Sequence, residues 1–407
     1  MNYATPSPVP DVRFIDVARA RRDTPACEKV VHFNNAGASL MPNPVLAACI
    51  EHLRLEARIG GYEAAEEAHA RHEAVYRSIA TLLHASPEEI ALADSATRAW
   101  HLAFQGLRIP RGAKILTTRT SYASNFIAFL HRARKDGLEI DVAPCDHAGN
   151  LDLDAFERRI DKRVALIALT HIPTNGGIIN PAEAVGKIAR RHGIPYLLDA
   201  CQSAGQLPLD VTRIGCDMLS ATGRKFLRAP RGTGFLYVRR GFLNHIEPPM
   251  PDLHNATWVA PDAYRPLEGM RAFEMWESSL ALKLGLGAAV DYALDLGLDA
   301  IRERIRALAD LLRQRLDDLD GIRVRDMGTE RGGIVTFDIA NVAASIVKSR
   351  LREQSMHITV SLPSHTLLDA MERTLPEMVR ASVHYYNTEE EIDRFCEAVH
   401  AISSKGA

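Results

Sequence analysis

Between residues 90 and 238, short apolar runs that end in small or polar residues alternate with amphipathic stretches of helical length. One helical stretch, 181–192, begins after Asn180 and ends before Gly193, which are ordinary start and stop signals of a helix. Alternating strands and helices predict a mainly parallel sheet that is covered by helices on both faces. The predicted strands are 89–93, 114–117, 164–169, 196–198, 218–220 and 235–238.

After about residue 280 the pattern changes to long helices and fewer strands, which predicts a smaller α+β domain. A chain of 407 residues is long enough for two domains. Residues 1–10 contain three prolines and predict a loose arm. The predicted segments are an N-terminal arm and helix at 1–60, a large α/β domain at 61–285 and a small C-terminal α+β domain at 286–407.

Composition excludes several classes of function. The formal net charge is -2, so nothing predicts the basic face that nucleic-acid binding requires. The sequence has no long uncharged apolar run, so we expect no membrane helix. Residues 1–10 lack the pattern of a secretory signal, which predicts a cytoplasmic protein. The six cysteines are scattered without a Cys-x-x-Cys pair, so we expect reduced thiols and neither a disulfide framework nor a metal site.

Two charged residues follow predicted strands, at the edge where open α/β sheets bind ligands. Asp199 directly follows the strand 196–198, where a carboxylate needs a cationic partner such as a protonated pyridine nitrogen. A helix N-cap or a magnesium ligand would also explain Asp199. Lys225 lies beyond the strand 218–220, where partial desolvation would make its amine nucleophilic. A solvated surface lysine is the alternative.

Hydroxyl and aromatic residues follow other strands of the same predicted sheet. Ser95, Ala96 and Thr97 open a helix after the strand 89–93, so their hydroxyl and backbone N–H groups could bind a phosphate. Plain helix capping would explain the same residues. Tyr122 could stack on a flat cofactor ring or simply pack in the core.

The stretch 199–206, the second aspartate Asp217 and Lys225 within 220–226 occur together at a specific spacing. Through these motifs, and over residues 30–402, the chain resembles the class V aminotransferase family of fold-type I pyridoxal-phosphate (PLP) enzymes. That family includes cysteine desulfurases, selenocysteine lyases, isopenicillin-N-epimerase-like proteins and kynureninases. The resemblance implies an α/β fold of fold-type I, with a mainly parallel sheet in the large domain, and pyridoxal 5'-phosphate as cofactor.

The resemblance also implies roles for residues at matching positions. Lys225 matches the Schiff-base lysine, Asp199 the partner of the pyridinium nitrogen, and Gln202 the donor to the phenolic oxygen of the ring. Arg380 matches the arginine that binds the α-carboxylate of an amino-acid substrate. Further implied cofactor contacts are Ser95, Ala96, Thr97 and Thr222 at the phosphate, Arg224 where many relatives have His, and Tyr122 and Thr174 at the ring.

Other matching segments concern the substrate and a second subunit. Asn35 lies in 34–37, which resembles an N-terminal loop that closes over the site, and Asn175 lies in a loop that approaches the substrate. Residues 271–279 match a segment that reaches the phosphate bound by the partner subunit. The resemblance therefore implies a homodimer with the Trp276–Ser279 region near the partner's site.

Cysteine desulfurases carry a nucleophilic cysteine on a mobile loop ahead of the carboxylate-binding arginine. In this chain that loop is 360–366, and Thr366 lies about where the cysteine would be. No cysteine occurs between Cys216 and Cys396. Persulfide chemistry by the usual route is therefore disfavoured.

The hypothesis that we favour is β-elimination by a C–S lyase that acts on an amino acid or a cysteine S-conjugate, with Lys225 as the base. Residues 60–66, which include Tyr62 as a candidate substrate contact, resemble a segment of hercynylcysteine sulfoxide lyases, although a turn and a helix start explain them equally well.

Transamination and epimerisation share the same carbanion and remain alternatives, with Tyr62, His365 or Tyr122 as a possible second acid for epimerisation. A PLP-fold regulator or sugar-modifying enzyme and an α/β binding protein without PLP are further alternatives. A nucleotide-binding protein is disfavoured because residues 94–97 lack a glycine, and a catalytically dead relative is disfavoured because Lys225 and Asp199 are both present.

Overall fold

The computed structural model describes residues 14–404, so the predicted arm at residues 1–10 lies outside the described residues. The strands are β1 (Val31–His32), β2 (Ile90–Ala93), β3 (Lys114–Thr118), β4 (Glu139–Ala143), β5 (Val164–Thr170), β6 (Tyr196–Asp199), β7 (Met218–Thr222), β8 (Gly234–Val238), β9 (Ala256–Ala260), β10 (Ala263–Pro266), β11 (Ile322–Val324), β12 (Ile334–Ile339), β13 (Met356–His357), β14 (Thr359–Ser361) and β15 (Met378–Ser382).

The helices are α1 (Val17–Arg22), α2 (Asn43–Ile59), α3 (Gly61–Glu67), α4 (His69–Leu83), α5 (Ala96–Gly106), α6 (Ala123–Asp136), α7 (Leu153–Arg158), α8 (Ala182–His192), α9 (Val211–Ile214), α10 (Leu280–Leu296), α11 (Leu298–Asp317), α12 (Ala344–Glu353), α13 (Leu367–Arg373) and α14 (Glu389–Ser404). None of these helices of residues 14–404 is long and apolar enough to cross a lipid bilayer.

The large sheet has the strand order β2-β8-β7-β6-β5-β3-β4, in which β8 alone runs against its neighbours. The six strands predicted from apolar runs are all present, and the mainly parallel α/β architecture is the predicted one. Strand β4 was not predicted, because an edge strand that contains Glu139 and Asp141 shows no continuous apolar run.

Apolar clusters cover both faces of this sheet. Along β6, Tyr196 and Leu198 join one cluster, whereas Leu197 joins the cluster on the opposite face. This alternation is the period of two that a strand imposes on its side chains. Because both faces are buried, the central strands are apolar at successive positions rather than at every second one. The sheet is therefore the rigid support from which the polar edge residues project.

Helix α10 crosses the predicted boundary at residue 285 without a break. A Cβ on Gly285 would lie 2.4 Å from Sγ of Cys49 on α2, and a Cβ on Gly287 would lie 2.9 Å from Val75 on α4. These glycines therefore let α2 and α4 pack closely against α10. The division into 1–60, 61–285 and 286–407 remains a proposal in which α10 is shared by two of the segments.

The C-terminal sheet is antiparallel, with the order β11-β12-β15-β14. The N-terminal segment joins this part of the molecule, because β1 pairs with β13 and Asn34 bridges to Ser382. Strand β15, which carries Arg380, is thereby fixed between β12 and β14 and beside the segment that follows β1. This pairing brings residues from both ends of the chain to one place.

Arg313 on α11 is a buried cation that holds this helix to β12. Its Nε donates to Asp326 at 2.8 Å, and its Nη2 donates to the carbonyl of Ile334 at 3.0 Å.

We expect Arg313→Met to lower the free energy of unfolding by about 3–5 kcal/mol, because Asp326 would stay buried without its partner. Chemical denaturation would measure the change. Arg306→Met, on the exposed face of the same helix, should cost less than about 1 kcal/mol. Equal losses in both variants would contradict the role of Arg313.

Candidate active site

Strands β5, β6 and β7 end side by side at the carboxyl edge of the large sheet. Thr170 of β5 pairs with Asp199 of β6, which in turn pairs with Ser220 of β7. Lys225 lies in the turn that follows β7, close enough to Asp199 for the carboxylate to influence the pKa of its amine. The structure thus brings the two residues together at the edge where α/β sheets bind ligands.

Burial is the largest influence on Lys225 and lowers the pKa of its amine from the ordinary value of 10.5. Arg224 and Arg380 lower this pKa as well, whereas Cys201 and Asp199 raise it. A lowered pKa means that the neutral amine is present at lower pH than in a surface lysine. Lys225 is therefore suited to attack a carbonyl carbon or to accept a proton.

Asp199 is a buried carboxylate that is held by two hydrogen bonds. Its Oδ2 accepts from the side-chain amide of Asn125 at 2.7 Å, and its Oδ1 accepts from the backbone N–H of Cys201 at 2.9 Å. Within residues 14–404, no Lys, Arg or His forms an ion pair with it. A buried carboxylate without a counter-ion favours a ligand that brings a positive charge.

The N-terminus of α5 lies against the ends of β2 and β8. Ser95 caps the helix by accepting the N–H of Arg98 at 3.2 Å. Gly234 of β8 pairs with Thr222 of β7, and a Cβ on Gly234 would lie 2.7 Å from the carbonyl carbon of Ser95 and 3.0 Å from the N of Ala96. Only a glycine leaves room for this close approach. Because Thr222 pairs with Gly234, it lies near the first N–H groups of the helix, which have no partner within the helix. Such an arrangement can bind a phosphate.

Arg380 is a buried guanidinium that no carboxylate within residues 14–404 neutralises. Its Nη1 donates to the hydroxyl and the carbonyl of Thr174, and its Nε is without a partner in this part of the chain. Burial lowers the pKa of Arg380 to about 10, so the group stays protonated at neutral pH. Tyr122 and Arg224 lie close enough to influence the same pKa. Arg380 can therefore bind a carboxylate that enters from outside.

The N-terminal segment 34–40 covers the region between Gln202 and Arg224. The carbonyl of Ala36 accepts from Nε2 of Gln202 at 3.2 Å, and the carbonyl of Gly37 accepts from the Arg224 side chain. The N–H of Ser39 donates to the carbonyl of Arg224 at 2.9 Å. Oε1 of Gln202 is buried and has no partner among residues 14–404.

Two of the predicted substrate contacts, Asn35 and Asn175, are occupied by hydrogen bonds within the protein. Asn35 donates to the carbonyls of His32 and Ser382 at 3.1 and 2.7 Å, so it joins the covering segment to β15. The side chain of Asn175 bonds to the segment 361–366 through Ser361, Leu362 and Thr366.

Three other predicted residues lie on the surface of the single chain. Tyr62 on α3 is 75% exposed and Trp276 is 55% exposed. Thr97 lies on the exposed side of the first turn of α5. Glu277 and Ser278 line a small cavity together with Asp94 of the same chain, beside the N-terminus of α5. The single chain therefore places none of Tyr62, Trp276 and Thr97 in the group around Lys225.

Two residues of this region escaped the sequence analysis. Asn125 holds Asp199 from the first turn of α6, and its only signal was its place shortly after Tyr122. His171, directly after β5, is buried, and burial lowers its pKa to about 4, so that the imidazole is neutral at physiological pH. A distance between side chains far apart in sequence has no local signal, which is why Asn125 was missed.

The family model for aminotransferase class-V matches residues 31–395. The chain belongs to the class V aminotransferase family. A probable cysteine desulfurase from Pyrococcus abyssi (strain GE5 / Orsay) is 31% identical, over 92% of this chain and 94% of that protein. A cysteine desulfurase from Thermococcus onnurineus NA1, solved in its apo form, matches with a TM-score of 0.89 and 28% identity, over 96% of this chain and 98% of that one.

A further solved structure shows likeness in fold alone. It is a complex of the cystine C–S lyase C-DES with cysteine persulfide, with a TM-score of 0.83 and 22% identity over 93% of this chain and 99% of that one. The predicted family, fold type, enzyme class and PLP cofactor are confirmed. The class V chain is a PLP-dependent enzyme.

The polar groups at this edge of the large sheet fit PLP. Asp199 has no counter-ion among residues 14–404 and suits the protonated ring nitrogen, and Nε2 of Gln202, which donates one N–H to the carbonyl of Ala36, has a second N–H for the phenolic oxygen. The N–H groups at the N-terminus of α5 suit the phosphate. Thr222 lies beside them, and its hydroxyl, which donates to the carbonyl of Thr233 at 3.2 Å, would have to turn to reach the phosphate. When bound, PLP supplies an electron sink for the bonds at the α-carbon of an amino acid.

We expect Lys225→Ala to abolish the visible absorption band of the bound cofactor that borohydride removes in the wild type, because no other amine would form the covalent link. Absorption spectra of the purified proteins with added PLP would measure this. Lys187→Ala, on the exposed face of α8, is the matched control and should retain the band. In wild-type apoprotein, capture of PLP should accelerate as pH rises through a midpoint below 10.5, because the lowered pKa makes the amine neutral earlier. A borohydride-sensitive band in Lys225→Ala would rule out this assignment.

Proposed function

We propose that this class V enzyme is a C–S lyase that catalyses β-elimination from cysteine or a cysteine S-conjugate. The observation that carries the proposal is the position of Thr366. By the family resemblance, this residue lies about where desulfurases carry their nucleophilic cysteine, and its hydroxyl is buried and accepts from Asn175 at 3.0 Å. The segment that would have to swing a thiol to the substrate is instead tied to the loop after β5.

No other thiol near Lys225 is suited to replace the missing cysteine. Cys201 follows Asp199 closely, but burial raises the pKa of its thiol to about 12. Burial also raises the pKa of Cys145. A protonated thiol is a poor nucleophile, so neither residue is prepared to accept a sulfur atom at neutral pH.

In this proposal, residues at the carboxyl edge hold the cofactor and orient the substrate. Lys225 would hold PLP covalently, Asp199 would pair with its ring nitrogen, and Gln202 would donate to its phenolic oxygen. Residues 95–97 with Thr222 and Arg224 would bind its phosphate, and Tyr122 would pack against its ring. Arg380 binds the substrate carboxylate, and Thr174 fixes the orientation of its guanidinium. These contacts fix the position of the substrate α-carbon relative to Lys225. Holding the reacting atoms in the correct geometry is how substrate binding increases the rate.

Lys225 then acts as the base, once the amine of the substrate has taken its place on the cofactor. Its neutral Nζ accepts the proton from the α-carbon, a role that the lowered pKa of this amine favours. The bond between the β-carbon and sulfur breaks, and the electron pair leaves with the sulfur. Tyr122, half-buried and close to Arg380, donates a proton to the departing sulfur. Water converts the remaining three-carbon fragment into pyruvate and ammonia, so that one water molecule is consumed for each thiol released.

Two features bear on the substrate side chain. The names of the desulfurase relatives agree with chemistry at a carbon–sulfur bond. Hercynylcysteine sulfoxide as the specific substrate depends on the short similarity at 60–66, where Tyr62 is exposed in the single chain. We therefore propose the substrate class and not that particular compound.

We expect the wild-type holoenzyme to release pyruvate and thiol in equal amounts from S-alkyl cysteines, as measured by coupled dehydrogenase and thiol assays. Cys201→Ala should retain this activity, because its buried thiol takes no part. Alanine formation from cysteine, with sulfur bound to the protein, would contradict the proposal and favour a desulfurase. A sulfur-containing keto acid without thiol release would favour an aminotransferase, and the D-enantiomer alone would favour an epimerase.

We also propose that the enzyme is a homodimer whose second copy covers the surface around Trp276. Trp258 on the hairpin of β9 and β10 is 74% exposed, and aromatic residues at this exposure favour an interface. Sedimentation velocity should give a mass of about twice the 44.9 kDa of one chain. Trp276→Asp should shift the population to monomer. A wild-type monomer at micromolar concentration would exclude the dimer.

A further inference from the structure

Arg228, three residues after Lys225, is a cation in an unusual position. Its side chain is only 1% exposed, and no carboxylate within residues 14–404 forms an ion pair with it. Its backbone has φ of +63°, a left-handed conformation that residues other than glycine rarely adopt. A buried unpaired charge and a left-handed backbone both cost stability. Their coincidence beside the cofactor lysine requires an explanation.

Neutral groups from distant parts of the chain satisfy the guanidinium. Its Nε donates to the carbonyl of Leu40 at 2.8 Å, its Nη1 donates to the hydroxyl of Tyr385 at 2.8 Å, and its Nη2 donates to the hydroxyl of Thr24. The guanidinium carbon lies 4.4 Å from the centre of the Tyr386 ring, a cation–π contact. The three donor nitrogens of the Arg228 side chain therefore bond to three different residues.

These contacts join the three parts of the site. Leu40 ends the segment 34–40 that covers Gln202 and Arg224. Tyr385 follows β15, the strand that carries Arg380. The backbone N–H of Arg228 donates to the carbonyl of Lys225 at 2.9 Å, which closes the turn that holds the lysine. One residue thus contacts the turn of the cofactor lysine through its backbone, and the covering segment and the residues after the Arg380 strand through its side chain.

A second contact supports the same connection. His384 Nε2 lies 3.0 Å from the carbonyl of Phe226, directly after Lys225. Burial holds the pKa of His384 well below its usual value, so the ring is neutral and donates from one nitrogen while its Nδ1 accepts the N–H of Tyr385. The turn after Lys225 is therefore held against the residues after β15 at two points, of which only Arg228 also reaches the N-terminal segment.

We propose that Arg228 is a positioning residue that couples the covering segment 34–40 and the Arg380 strand to the turn of Lys225. Substrate binding at Arg380 would then be linked to the position of the cofactor lysine through contacts of this buried cation. The inference depends on the proposed role of Lys225 but not on which reaction follows.

The test compares Arg228→Met and Arg228→Lys with wild-type holoenzyme. Binding of a non-reacting amino acid would be measured by the change in the visible spectrum of the cofactor, and the visible circular dichroism of the bound cofactor would report its setting. We expect Kd to increase about tenfold in Arg228→Met, a typical size for coupling between sites, with a changed dichroism. Arg228→Lys should recover part of both, because the charge remains.

Arg313→Met is the matched control, because it removes another buried arginine that does not contact the site. It should lower stability without changing Kd or the dichroism.

If the Arg228 variants fail to fold, Tyr385→Phe removes one hydrogen bond to Arg228 and keeps the ring, and it should shift Kd in the same direction by a smaller factor. An unchanged Kd and dichroism in the folded variants would reduce Arg228 to a purely structural residue. A wild-type protein that shows no cofactor band after PLP is added, or a Lys225→Ala variant that keeps the band, would instead refute the role of Lys225.

Discussion

The parallel register of β5, β6 and β7 is the constraint on which the site depends. Because Thr170, Asp199 and Ser220 occupy one row, the turns that follow these strands begin at the same edge of the sheet. The reversed strand β8 continues the edge to β2, where Gly234 lets the N-terminus of α5 approach. A slip of one residue in β6 would move Asp199 to the opposite face of the sheet. The fold and the site are therefore specified by the same pairing.

The site concentrates ionisable groups that the protein does not neutralise. Asp199, Lys225 and Arg380 are held in or at the pocket without an ion-pair partner in residues 14–404. Each would be more stable in water, so the surrounding sheet and helices must offset this cost. A ligand that brings a positive charge to Asp199 and a carboxylate to Arg380 removes part of the cost and should stabilise the folded state increasingly as its occupancy rises.

The sequence predicted the elements that depend on local pattern and motif. Apolar runs gave the central strands, and the spacing of Asp199 and Lys225 gave the family and its cofactor. Strand β4 and the hairpin of β9 and β10 were missed because edge and exposed strands lack continuous apolar runs. The roles of Asn125 and Arg228 were missed for another reason. They depend on contacts with residues far away in sequence, for which neither periodicity nor spacing leaves a signal.

The tether of the segment 361–366 limits how the molecule can open. Asn175 bonds to three residues of this segment, and Arg119 forms an ion pair at 3.1 Å with Asp369 just beyond it. Separating this wall from the large sheet would break all of these contacts at once, at about 1 kcal/mol or more for each. The wall is thus a fixed side of the pocket.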